Sequence, residues 1–124
     1  MKKNILITGG SGLVGRILVK KLKDKFNIMV LDQKKSSYSE TFIGDINNLE
    51  SINPAFKDIE TVIHLAGDRR VHGDWKSVLE NNLIGIYNIY EAAKLNKLKR
   101  VIFASSQHAT GGYYNIEPYS FIDR

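Results

Sequence analysis

Glycines at positions 9, 10, 12 and 15, preceded by Thr8, are the residues whose type and spacing point most directly to chemistry. They follow the apolar run Asn4-Ile5-Leu6-Ile7 and lead into apolar residues at helical spacing. A strand that ends in a tight turn and runs into a helix aims free backbone N–H groups, and the positive end of the helix dipole, at an anion. The chemistry is phosphate binding. Gly9 permits the turn, Gly12 lets the backbone approach a pyrophosphate, and Gly15 lets helix and strand pack closely. Spacing alone admits two frames, one on Gly9, Gly12 and Gly15 and one on Gly10, Gly12 and Gly15.

Further candidates lie at the ends of later apolar runs. Asp32 stands 17 residues after Gly15, closing the run Asn27–Leu31. A carboxylate there can accept both ribose hydroxyls of an adenosine and repels a 2′-phosphate, which favours NAD over NADP. The plain alternative is a solvated loop acid, and Lys34 and Lys35, either of which can reach a phosphate, blur the preference. Asp45 either accepts a bond from an adenine amino group, with Ile46 against the ring, or closes an Asx turn or caps a helix.

Asn82 falls on the apolar side of a predicted helix near Leu79, Leu83, Ile86 and Ile89. A buried amide needs partners, so Asn82 is expected to tie the strand-end loops together. Gly85, in mid-helix, costs roughly 1 kcal/mol relative to alanine, and a close packing contact is the expected reason. Ser105 and Ser106 either bond a substrate oxygen at the reacting carbon or form a turn or cap. His108 either contacts substrate and moves a proton or stands on the surface. His64, at a strand end, reads as structural, whereas His72 and Trp75 either touch the ligand or simply pack. The sequence shows no metal-binding constellation.

The elements that must position these residues alternate. Strands are predicted over 4–8, 27–32, 41–43, 61–65 and 100–104, and helices over 13–23 and 76–96. A short helix over 49–56 is expected to be interrupted at Pro54. Strands alternating with helices imply right-handed crossovers and a doubly wound parallel sheet of the α/β class. The glycine turn, Asp32, Asp45, Ala66-Gly67 and Ser105-Ser106 then share one place, the C-terminal edge of the sheet, where open α/β sheets bind ligands.

Composition narrows the class. The chain has 124 residues and a net charge of +5, so it makes one domain with a real core. Its lysines are scattered without aromatic or arginine interleaving, which reads as a solvated surface rather than a nucleic-acid groove. No apolar run approaches the roughly 20 residues of a membrane span. The absence of cysteines excludes disulfides and thiolate metal sites and fits a cytoplasmic location.

Five segments in order resemble the extended short-chain dehydrogenase/reductases, the NAD-dependent epimerase/dehydratase group. They are Thr8–Gly15, Gly44-Asp45-Ile46, Val62–Gly67, Glu80–Ala93 and Phe103–Ser106, against T-G-G-x-G-x-x-G, G-D-[IL], V-[IV]-H-L-A-[AG], N-x-x-G-[TIL]-x-N-x-x-E-A-A and F-x-S-S. Ala104–His108 with Gly112-Tyr113-Tyr114 looks like the branch that oxidises sugars, the uronate and aldose dehydrogenases, with Gln107 in place of the usual asparagine.

The resemblance favours the Gly9 frame and implies a Rossmann-type sheet. It implies that Gly9, Gly12, Leu13, Val14 and Gly15 lie by the pyrophosphate, Asp32 at the ribose, and Asp45 and Ile46 at adenine. Leu65, Ala66 and Gly67 would line the nicotinamide side, Asn82 would be the helix asparagine, Ser106 the catalytic serine, and Gln107 and His108 substrate neighbours. It implies NAD as cofactor and a sugar or nucleotide-sugar substrate.

The family's tyrosine base, in Y-x-x-x-K after the serine, has no match in the 18 residues that follow Ser106. Tyr90-Glu91-Ala92-Ala93-Lys94 fits the letters, but it precedes the serine and reads as core. The expectation is a Rossmann domain over residues 1–115, incomplete after about the fifth strand, with a tail over 116–124 and no substrate lobe. An apolar face or edge left uncovered would favour self-association or a complementing partner. A non-catalytic cofactor-binding module and a nucleic-acid binder are the competing functions.

Overall fold

Apolar side chains on both faces of successive strands require cover on both sides, and the chain supplies it with helices. The computed structural model describes residues 1–106, 108 and 109. Five strands, β1 (Asn4–Thr8), β2 (Asn27–Asp32), β3 (Glu40–Ile43), β4 (Thr61–His64) and β5 (Arg100–Phe103), form one sheet in the order β3-β2-β1-β4-β5. All four pairings are parallel, and β1 sits centrally, with Leu6 opposite Met29 on one side and Val62 on the other.

Alternation along the strands divides the core into two layers. Ile5, Ile7, Val30 and Ile63 pack with Val19 of helix α1 (Leu13–Leu22) on one face. Leu6, Leu31 and Val62 face the other way, against Ile52 of α2 (Leu49–Ile52), Phe56, and Ile89, Ala92 and Ala93 of α4 (Gly85–Leu95). This is the doubly wound arrangement predicted from the alternation. A 3₁₀ turn over Asn53–Phe56 has Pro54 as its second residue, so the short helix is interrupted where expected.

The long helix predicted over 76–96 differs in form. It begins as α3 (Trp75–Val78), capped by the Asp74 side chain on the Ser77 N–H, passes through a π-helical segment at Leu79–Ile84, and continues as α4. Two contacts outweigh simple 3.6-residue periodicity here. Asn82 turns its amide to the loop after β4. Ile46 presses so close to Gly85 that a Cβ there would lie 2.5 Å from Ile46 Cδ1, which is the packing contact expected for that glycine.

The buried stripe of α4 is Gly85, Asn88, Ile89, Ala92 and Ala93. Tyr90 lies ~100° round the helix from Ile89. It is 45 % exposed, so the expectation that it belongs to the core is wrong. Asn88, inside the stripe, donates from Nδ2 to the Ile46 carbonyl at 2.8 Å and ties α4 to the segment after β3.

β5 forms one edge of the described sheet, with Ile102 44 % and Phe103 41 % exposed, and Leu13, Val14 and Ile17 of α1 are exposed as well. Among the described residues no helix is long and apolar enough to cross a membrane.

β1 and β4 are tied by side chains as well as backbone. Thr8 Oγ1 accepts the N–H groups of Leu65 and Ala66, both at 3.2 Å, and lies 2.6 Å from His64 Nδ1. Since that oxygen already accepts two bonds, its own proton goes to Nδ1. The imidazole is therefore neutral and carries its hydrogen on Nε2, a buried atom with no partner among the described residues. His64 is fully buried and stacked on Phe103. Burial pushes its pKa from 6.5 down to about 4.

The unfolded chain takes up a proton near pH 6.5 that the folded chain refuses until about pH 4. The stability held by neutral His64 is therefore complete above that window and is lost as pH falls through it, by roughly 3 kcal/mol in all. Urea unfolding of the parent across this range should show the loss, and H64N, whose amide oxygen can still accept from Thr8, should show a shallower slope. Parallel profiles would clear His64 of the effect. N88A should leave the Ile46 carbonyl unpaired and lower the unfolding free energy in water by about 1–3 kcal/mol.

Candidate functional site

Ligands bind an open parallel sheet where the strand order reverses, because neighbouring connections leave to opposite faces and open a crevice. Here the reversal lies between β1 and β4. A cleft of about 550 Å³ opens at the C-terminal ends of the strands, within the size range of small-molecule sites. Gly9, Gly12, Leu13, Val14 and Gly15 line it together with Asp32, Ile46, Leu65, Ala66 and Gly67. Ten of the residues singled out in the sequence therefore meet in one place.

Gly9 has φ +70°, the one positive-φ glycine among the described residues, so it is the turn residue of the loop. Its N–H reaches back to the Leu31 carbonyl at 3.0 Å. A Cβ on Gly9 would stand 2.8 Å from the Ala66 nitrogen, so the glycine turn and the loop after β4 touch backbone to backbone. A Cβ on Gly15 would strike the Gly9 carbonyl and lie 2.6 Å from Gly10 Cα, so the first turn of α1 sits directly on the loop. At Gly12 a Cβ would meet only the Gly9 oxygen, at 3.2 Å; the space this residue keeps clear is cleft.

α1 starts at Gly12 with no side-chain cap and no acidic residue in its first turn, whereas α2 and α3 are capped by Asn48 and Asp74. Uncapped N–H groups facing a cleft, with the dipole behind them, can hold an anion.

The Asp32 carboxylate is half-buried at the end of β2. Oδ2 accepts the Ser11 N–H at 3.0 Å and the Ser11 hydroxyl at 2.6 Å, and Oδ1 accepts the Lys34 N–H at 3.3 Å. Ser11 lines the cleft, and sequence reasoning missed it although it sits inside the glycine loop. Lys34 lines it too.

Beyond β3, Gly44 and Ile46 line the cleft. Asp45 does not; its Oδ1 accepts the Asn47 N–H at 2.9 Å and forms the Asx turn. The helix cap is Asn48 instead.

The loop after β4 is held by side chains. Asn82 Oδ1 accepts the Asp68 N–H at 2.6 Å and Nδ2 donates to the Asp68 carbonyl at 2.8 Å, with Gly67 leaving room for the amide. Asn82 thus ties a strand-end loop as expected, from behind the cleft rather than from its lining, which includes Asn81. The Asp68 side chain is 6 % exposed. The Arg70 guanidinium, then the Ser77 hydroxyl at 2.5 Å, hold its carboxyl well below the usual carboxylate range. Arg69, the residue between, lines the cleft and was not singled out in the sequence.

His72 and Trp75 are exposed and do not line it. Ser105 and Ser106 are exposed after β5. The Ser106 hydroxyl accepts the His108 N–H at 3.1 Å and its carbonyl accepts the Ala109 N–H, so the serine closes a turn. Ala104, not Ser106 or His108, contributes to the cleft lining, and Gln107 lies outside the described residues.

Comparisons with known proteins agree with this fold. The family model for the NAD dependent epimerase/dehydratase family matches residues 5–120. The NAD-dependent glucose-6-phosphate dehydrogenase of Haloferax volcanii is 32% identical over 122 residues, covering 91% of this chain and 47% of its own length. The uronate dehydrogenase of Agrobacterium fabrum is 30% identical over 120 residues, covering 93% of this chain and 45% of its own.

A crystal structure of a mutant uronate dehydrogenase from Agrobacterium tumefaciens, complexed with NAD, superposes with a TM-score of 0.79 at 28% identity. It covers 87% of this chain and 42% of that one. The chain therefore spans less than half the length of these relatives. From the glycine turn to the strand-end serines, this chain belongs to the NAD dependent epimerase/dehydratase family.

Proposed function

We propose that this chain holds NAD in the cleft at the β1/β4 reversal and forms the cofactor-binding half of an oxidoreductase acting on a sugar or nucleotide sugar. The observation that carries the reading is the glycine turn: a glycine at φ +70° in backbone contact with Ala66, followed by an uncapped ten-residue helix opening on the cleft. The pyrophosphate lies on the N–H groups of the first turn of α1, between Gly12 and Gly15. Asp32 receives the adenosine ribose. Ile46 packs at the adenine, where Asp45 orders the backbone through its Asx turn. Leu65, Ala66 and Gly67 line the nicotinamide side, and Asn82 holds their loop in place.

NAD, when bound, supplies the hydride acceptor. The sugar-type substrate is supported by relatives that are a glucose-6-phosphate dehydrogenase and uronate dehydrogenases. In this reading Ser106 faces the substrate oxygen, with Gln107 and His108 beside it. The chain contains no Tyr-x-x-x-Lys after Ser106, so no proton-abstracting pair is assigned among these residues. Cofactor binding without turnover is the expected behaviour of the 124-residue chain.

Thermal unfolding with and without millimolar NAD tests the reading, since a ligand that binds only the folded state raises the midpoint. NAD should raise it, NADP should raise it less, and D32A should weaken NAD binding roughly tenfold through loss of charged hydrogen bonds to the ribose. An unmoved midpoint at millimolar NAD would overturn the assignment.

A further inference from the structure

Along the chain the lysines are scattered, but the fold gathers them. In a parallel sheet with crossover connections, every strand starts at one pole and the cleft opens at the other. Lys2 and Lys3 lead into β1. Lys20, Lys21, Lys23 and Lys25 run from the end of α1 towards β2, and Lys97 and Lys99 lead from α4 to Arg100, the first residue of β5. Backbone hydrogen bonds lace these starts together. The Asn27 N–H donates to the Lys3 carbonyl at 3.0 Å and the Glu60 N–H to the Asn4 carbonyl at 3.0 Å. The N–H groups of Lys99 and Arg100 donate to the Glu60 carbonyl at 3.0 and 3.2 Å. With neighbouring strands about 4.8 Å apart, the starts of β2, β1, β4 and β5 span roughly 15 Å, less than two Debye lengths at physiological salt.

All of these basic residues are exposed. Of them, Lys99 alone is ion-paired among the described residues, with Glu60 at 3.0 Å, and Asp24 and Asp58 are further acids at this pole. Round the cleft the signs balance: Lys34, Arg69, Arg70 and Lys76 stand with Asp32, Asp68, Asp74 and Glu80, and Arg70 and Lys76 are ion-paired. The net charge of +5 is therefore concentrated at the pole away from the cleft. A helix C-terminus attracts cations, which accounts for Lys20 and Lys21 in the last turn of α1. It does not account for Lys2, Lys3 and Arg100 at strand starts, because a sheet carries little net dipole.

A broad basic surface fits a polyanion, and its composition says which. Lysine dominates here, a point charge on a flexible stem that suits mobile headgroups. Fixed phosphates and bases are better met by arginine forks and stacking rings, and Phe26, the aromatic residue beside Lys25, packs against the core. Met1 and Leu95, both exposed, add apolar side chains at the same pole, which can enter the boundary between headgroups and acyl chains. We infer that this pole is a membrane-contact surface: it adsorbs to a bilayer of anionic phospholipid and leaves the cleft turned to water. The inference is independent of the cofactor reading, since none of these basic residues lines the cleft.

Co-sedimentation of the 124-residue chain with vesicles tests it. At about 0.1 M salt the chain should pellet with an equimolar mixture of phosphatidylcholine and phosphatidylglycerol and stay in solution with phosphatidylcholine alone. Salt at about 0.5 M should release it. K21Q/K23Q and K97N/R100Q come from segments far apart in sequence, and each should weaken binding roughly tenfold or more. Asparagine at position 97 suits the positive φ of Lys97. K35Q/K76Q, on the cleft side, should bind vesicles as the parent does, and all three variants should melt at the parent's midpoint because the replaced side chains are exposed. Failure to pellet with the anionic vesicles would overturn the inference. So would an equal loss in K35Q/K76Q, which would reduce the effect to net charge. Retention on duplex DNA at a salt concentration that frees the chain from vesicles would also overturn it, making the pole a nucleic-acid surface.

Discussion

The contact between Gly9 and Ala66 is the constraint from which the rest of the site follows. Two neighbouring parallel strands end side by side, and their chains must leave in different directions without colliding. The backbone at Gly9 turns through φ +70° within van der Waals distance of the Ala66 nitrogen, a path closed to any residue with a Cβ. Thr8, one residue earlier, makes the approach favourable by accepting the N–H groups of Leu65 and Ala66 on its hydroxyl. The hydroxyl then needs an acceptor for its own proton, and buried His64 provides one only while it stays neutral. A steric requirement at one glycine thus extends to the ionisation of an imidazole on the next strand.

The same logic accounts for the irregular helix. The loop after β4 leaves the Gly9 contact with unpaired backbone groups at Asp68, and buried polar groups need partners. Asn82 meets both with one amide. Three residues on, Gly85 must accept Ile46, whose carbonyl is in turn held by Asn88. The π segment Leu79–Ile84, which carries Asn82 and leads into Gly85, satisfies both demands by resetting the phase of the helix faces. One stretch of twenty-one residues therefore braces the cleft behind both β3 and β4.

The layered fold was legible because its signals are local and redundant. Apolar runs in β1, β2 and β4 have the continuous character of strands buried on both faces, and the glycine spacing marks a sharp strand-to-helix turn. Less legible was anything decided across the sheet. Tyr90 carries an apolar ring at a plausible spacing, yet the stripe that Gly85 and Ile89 bury leaves it outside. Asn82 was recognised as a tie, but its partner Asp68 stands fourteen residues away and no spacing rule names it. Asp45 kept two roles open in the sequence; the fold realises its Asx turn and puts Ile46 in the cleft lining. Ser11 was hidden by its surroundings, since a serine among glycines reads as filler until Asp32 is found across from it.

The Ser11–Asp32 pair bears on how a ribose can be received. A carboxylate offers about four acceptor positions on its two oxygens. Ser11 fills two of them, both on Oδ2, at 3.0 and 2.6 Å. Oδ1 takes a single long bond, 3.3 Å, from the Lys34 N–H. The two oxygens are therefore unequal: one is committed to fixing the carboxylate against the glycine loop, the other retains capacity for a hydroxyl. This arrangement sets the orientation of Asp32 before any ligand arrives, which lowers the ordering cost of binding. It also makes the glycine loop and the Asp32 carboxylate one unit, so a displacement of either is felt by both. The strand order that places β2 beside β1 and β1 beside β4 extends that unit across the cleft, from Asp32 through Ser11 and Gly9 to Ala66.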